Sequence, residues 1–179
     1  MKKNQRGRTI KIHKEILVES IQVGLEKAFN EHRLEIKIKN LEEIVNIIAP
    51  LLVDLQYNKD IRGIIISISV QLEISVPIQD TYIISYILEG QKDWVECRLD
   101  SYRIPSEKSN AIFQIMSFEN YDDEYDDDSP KKKKKSKTKL LKEVLNLHGI
   151  KFEKESAYHS YDEFYFILPL EVEVKKLWI

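Results

Sequence analysis

Between Lys14 and Asn30 the apolar positions Leu17, Ile21, Gly24, Leu25 and Ala28 recur at intervals of three and four, the period that lines side chains along one stripe of a helix. The pattern predicts a first amphipathic helix. Leu34-Glu-Ile-Lys-Ile-Lys then alternates strictly, as a strand with one wet face does, and Asn40 reads as the N-cap of the next helix. In that helix Leu41, Ile44, Val45, Ile48, Leu52 and Leu55 form a wide apolar face that ends near Asn58. Pro50 lies inside the run, where it removes one backbone hydrogen bond and predicts a kink or a fresh start.

Four stretches rich in β-branched and aromatic residues follow: Gly63 to Pro77, Thr81 to Leu88, Trp94 to Ile104 and Ala111 to Phe118. The segments between them are rich in Pro, Gly, Asp and Ser and read as turns, so the stretches predict strands of an antiparallel sheet. Further on, Leu140, Leu141, Val144, Leu145 and Leu147 predict a helix from Lys139 to His148, stopped by Gly149. Two closing strands are expected at Lys151 to Glu155 and Glu163 to Leu170, with Glu171 to Leu177 extending the second. The fold class this predicts is α+β: a two-layer sandwich with a mixed or antiparallel sheet and about three helices on one face.

Charge divides the chain. Residues 2 to 14 carry Lys2, Lys3, Arg6, Arg8, Lys11 and Lys14 with no acid, and residues 1 to 9 are expected to form a basic flexible arm. Residues 119 to 139 run from acids into lysines with only two tyrosines among them. Such a segment cannot offset the entropy of ordering itself and is expected to be a disordered insert. A single domain made of residues 10 to 118 and 140 to 179 is left, interrupted by that insert. At 21.2 kDa and 42% hydrophobic residues the chain has enough apolar side chains for a core.

No apolar run approaches the roughly 20 residues of a membrane span, and no apolar stretch follows the basic start, so neither membrane insertion nor secretion is expected. The only cysteine, Cys97, excludes an internal disulfide framework and reads as a structural thiol. A cytoplasmic protein is expected. The lysine run, Lys131, Lys132, Lys133, Lys134, Lys135 and Lys137, resembles a nuclear import signal if the source is eukaryotic, and equally a patch that contacts nucleic acid or another anion.

Leu140-Leu-Lys-Glu-Val-Leu-Asn-Leu-His-Gly-Ile-Lys-Phe-Glu-Lys-Glu-Ser followed by Phe164-Tyr-Phe-Ile-Leu-Pro-Leu resembles the last helix, glycine turn and closing strand of the ATP-binding domain of sensor histidine kinases, the GHKL or Bergerat fold. Ile10 to Glu15 and the helix after it are similar to that family's entry strand and first helix, and Ile44 to Leu55 occupies the place of its N-box helix. The resemblance implies a mixed sheet, and a mobile ATP lid where residues 119 to 139 stand. It also implies an acid or amide and, four residues on, an asparagine, on one helix face to orient water and hold Mg²⁺. Here those positions are Pro50 and Asp54. Proline supplies neither base nor ligand, and no Gly-x-Gly occurs among the five glycines at 7, 24, 63, 90 and 149, so the phosphate cradle is missing.

The expectation is therefore a pseudo-ATPase without cofactor: a non-catalytic signalling or adaptor domain that contacts a response regulator, a kinase-like partner or a second copy of itself. The competing expectation is a nucleic-acid-associated protein using the basic arm and the lysine run, with Tyr82, Tyr86, Trp94 and Tyr102 as a stacking surface. His13, taken to lie at a helix start, is a weak phosphoacceptor candidate, since it lacks the flanking acid and downstream proline of kinase acceptor boxes. His148, in the last turn of its helix, reads as a capping residue that suits the helix dipole. No His-x-x-x-His pair, nucleophile elbow or Walker loop is present, so neither metal binding nor catalysis is expected.

Overall fold

Alternation along the strands decides which face of the sheet is covered. In a computed structural model of the chain, which describes residues 2–61, 64–76, 81–89, 96–102, 107–118, 137–158 and 161–177, β2 (Ile65–Ser75) buries Ile68, Val70, Leu72 and Ile74. Their partners on β5 (Asn110–Phe118) are Ile115, Phe113 and Ala111, and β7 (Tyr161–Pro169) adds Phe164 and Phe166 in the same rows. On the other side of β2, β3 (Thr81–Glu89) contributes Tyr82 and Ile84. With β4 (Glu96–Tyr102) and β6 (Glu153–Tyr158) at the edges, the strands form a six-stranded sheet in the order β4-β3-β2-β5-β7-β6. Every pairing is antiparallel.

The opposite face is mixed: Gln71 donates to Gln114 at 2.9 Å and Gln114 in turn donates to Glu163 at 2.8 Å, beside Ile112 and a half-exposed Ile167 in the neighbouring row. The apolar face instead shares one core with three helices: α1 (Lys3–Asn30), α2 (Leu41–Tyr57) and α3 (Lys137–Leu147). The fold is an α+β sandwich, one layer of helices on an antiparallel sheet.

The main departures from the sequence pattern have physical causes. α1 begins at Lys3 rather than Lys14, so residues 3 to 9 of the expected flexible arm and the expected entry strand at Ile10 to Glu15 are helix. Basic residues in a first turn oppose the helix dipole, but Arg6 and His13 bond to α2 and hold the N-terminal half in place. α2 runs unbroken through Pro50. The roughly 3 kcal/mol that an interior proline costs is offset by its neighbours Ala49, Leu51 and Leu52, all fully buried, at about 1.5–3 kcal/mol for each large side chain.

Residues 171 to 177 do not extend β7. They turn away to form β8 (Val172–Lys176), which pairs antiparallel with β1 (Leu34–Ile38) in a separate two-stranded sheet. Asn40 makes the corner: its Nδ2 donates to the Pro169 carbonyl and its Oδ1 accepts from the Glu171 N–H, each at 2.9 Å. It occupies the N-cap position of α2, yet its side chain makes no cap bond. Residues 137 to 139 of the expected insert are the first turn of α3, and the remainder of that insert lies outside the described residues.

Candidate functional site

From Ile44 to Leu55 the only polar side chains on α2 are Asn46 and Asp54. A carboxylate in so apolar a run needs partners. Asp54 finds two, one from each neighbouring helix. Arg6 of α1 donates from Nε to Oδ1 at 2.8 Å and from its terminal nitrogen to Oδ2 at 2.7 Å, the bidentate geometry that makes an arginine–carboxylate pair strong. His148, in the turn after α3, donates from Nε2 to the same Oδ2 at 2.9 Å. Because a carboxylate only accepts, the hydrogen of this bond is on Nε2.

Gly149 aims the histidine. Its φ of +66° lets the chain leave α3 in the left-handed region, and the His148 and Gly149 N–H groups bond back to Leu145 and Asn146. His148 is therefore more than a cap on its own helix, since its ring crosses to α2. Burial alone would raise the Asp54 carboxyl, but the hydrogen bonds and charge of Arg6, with His148, outweigh it and hold the group below its ordinary value. Hydrogen bonding to Asp54 raises Arg6 in turn. The three side chains edge a hollow of about 220 Å³ with apolar walls from Val53, Tyr57, Val144 and Leu147.

Both Asp54 oxygens are engaged, and Pro50, one turn earlier, has no ligand group. Among the described residues no cluster of three His, Cys, Asp or Glu side chains is placed to hold a metal ion.

The remaining candidates separate. His13 is not at a helix start but inside α1, 9% exposed. Its Nδ1 donates to the Thr9 carbonyl at 3.0 Å and its Nε2 lies 2.9 Å from the Gln56 side-chain oxygen, so neither nitrogen is presented to a phosphoryl donor. Lys131, Lys132, Lys133, Lys134 and Lys135 lie outside the described residues, and Lys137 begins α3. Tyr82 is no stacking platform. It is buried edge-on against Phe29 at 4.8 Å. Cys97 lies on β4, paired with Tyr86.

A second feature went unread in the sequence. Ile12, Ile16 and Val23 are 46%, 40% and 56% exposed on the outer side of α1, away from the stripe that packs on α2. The signal was present as a second apolar period on the same helix, masked by the charges around it. No helix among the described residues is long and apolar enough to cross a membrane. No protein-family model matches the chain, and neither a curated protein nor a solved structure matches it.

Proposed function

We propose that this chain is a non-catalytic signalling or adaptor domain, a pseudo-ATPase that works through protein contacts such as those with a response regulator or a kinase-like partner. One observation carries the reading: Asp54, the single N-box position able to bind a cation, has both oxygens engaged by Arg6 and His148. Binding Mg²⁺ there requires breaking a bidentate ion pair, and Pro50 returns nothing in exchange. Kinship with the histidine-kinase ATPase domains is supported by the α3, Gly149 and β6–β7 order. It is opposed by the antiparallel pairing of every described strand where that family calls for a mixed sheet. The pseudo-ATPase part of the proposal rests on that kinship; the site itself supports the part that Asp54 is engaged within the fold and is not open to Mg²⁺.

Calorimetric titration of the full chain with ATP and Mg²⁺ tests it. No saturable heat is expected up to millimolar nucleotide. Micromolar binding that Asp54→Ala abolishes would overturn the reading.

A second reading draws on the exposed Lys2, which stands at the N-cap position of α1, and on Lys3, Arg8 and Lys11 in its first turns. A nucleic-acid-associated protein using them, with the lysine run, predicts retention on heparin that weakens steeply with salt and falls when the lysines from Lys131 to Lys135 are neutralised. Absence of retention at low salt removes it.

A further inference from the structure

α1 is about 42 Å long at 1.5 Å per residue, and its 28 residues present two faces. The inner one is spent on α2 and the sheet, through Leu17, Ile21, Gly24 and Ala28. The outer one carries Gln5, Thr9, Ile12, Ile16, Glu19 and Val23 at successive spacings of four, three, four, three and four. That is the spacing of a two-stranded helical seam. Its three large aliphatic side chains are 40% to 56% exposed. On a helix this long such a stripe faces water at a cost unless another helix covers it.

We infer that the outer face of α1 pairs with the same face of a second copy, the two helices running antiparallel about a two-fold axis at the level of Lys14. The inference rests on the protein-contact reading above and names the partner. Charge decides the direction. Residues 2 to 14 hold six basic side chains and no acid, whereas residues 15 to 31 hold Glu15, Glu19, Glu26 and Glu31 against Lys27 alone. A parallel pair would set the two basic halves side by side. An antiparallel pair lays the basic half of each copy along the acidic half of the other.

The register follows from the seam. Placing Ile12 opposite the second copy's Ile16 makes the two-fold axis repeat that contact on its other side, sets Thr9 across from Glu19, and covers Val23 with the stem of Gln5. Arg8, which flanks the seam and is exposed, then reaches Glu19 of the second copy. Arg6 takes no part in the seam because it is bound to Asp54. Together with the His13–Gln56 bond it pins the N-terminal half of α1 to α2, so the surface is rigid before the partner arrives.

A contact between two single helices is at the small end of stable interfaces, which puts the dissociation constant on the order of micromolar. Sedimentation equilibrium of the full chain is expected to give twice the 21.2 kDa chain mass at tens of micromolar and the single mass at high dilution. Ile16→Glu should leave a monomer with unchanged circular dichroism. Arg8→Glu and Glu19→Arg should each weaken the dimer about tenfold, and the chain carrying both should recover to within about threefold of the original.

A wild-type monomer at every concentration overturns the inference. So does a dimer indifferent to Ile16→Glu, and so does one that Arg8→Glu strengthens, the mark of a parallel pair. The two claims fail separately: a monomer that binds no ATP sinks self-association and leaves the contact reading in place, and a dimer that binds ATP through Asp54 does the reverse.

Discussion

At the scale of the residue, Asp54 is where α1, α2 and the end of α3 meet through side chains. Its side chain is 31% exposed and that of Arg6 43%, so solvent screens the pair and about 1 kcal/mol is a fair measure of it. Asp54→Asn should lower the urea midpoint accordingly at neutral pH, with most of the cost from the unpaired donors. The sign of the pH dependence follows from the depressed carboxyl. Its contribution is complete above the unfolded value of about 3.9 and is lost as pH falls through the lower, folded value, because the unfolded chain takes up the proton first. The gap between wild type and Asp54→Asn should therefore close on acidification and stay constant from mildly acidic to neutral pH. From the sequence Asp54 read only as a lone carboxylate beside Pro50, not as a residue with partners, because Arg6 and His148 lie far away along the chain and only the packing of three helices brings them together.

At the scale of the element, periodicity located all three helices and most strands, since burial on one face enforces the repeat. It was misleading where contacts outside the element decide the outcome. The first turns of α1 look like a solvated basic tail until Asp54 is known to wait for Arg6. β8 looks like a continuation of β7 until Asn40 is seen to turn the chain at Pro169 and Glu171. Asn40→Ala removes both of those bonds. It should cost about 1 kcal/mol of stability and speed amide exchange in β1 and β8 more than in the six-stranded sheet, which hydrogen exchange by NMR resolves. Gly149 is the opposite case, a glycine whose role was readable. Gly149→Ala puts a Cβ at φ +66° with open space around it; the backbone conformation alone should cost about 1–2 kcal/mol, measurable as a lower melting temperature.

At the scale of the whole molecule, the layer architecture was readable and the strand order was not. Alternation says which residues point inward, but an alternating strand pairs equally well in several positions, and the order β4-β3-β2-β5-β7-β6 depends on long-range packing. The outer seam of α1 is legible in retrospect because it obeys the same helical period as the buried stripe. It escaped notice because three aliphatic residues among charges look like scatter until the helix is known to be continuous from Lys3 to Asn30. The helix that carries the seam is held at its N-terminal half by the Arg6–Asp54 pair, so Asp54 acts as a structural clamp behind the proposed contact surface.

The proposed role of Asp54, a clamp and not a nucleotide ligand, is tested most directly by the melting temperature of the full chain with and without millimolar ATP and Mg²⁺, beside Asp54→Asn under the same conditions. A ligand that binds only the folded state raises the melting temperature. Nucleotide is expected to leave both proteins unmoved, while Asp54→Asn melts a few degrees lower than the wild type with or without it. A nucleotide-dependent rise in the wild type that disappears in Asp54→Asn would contradict it.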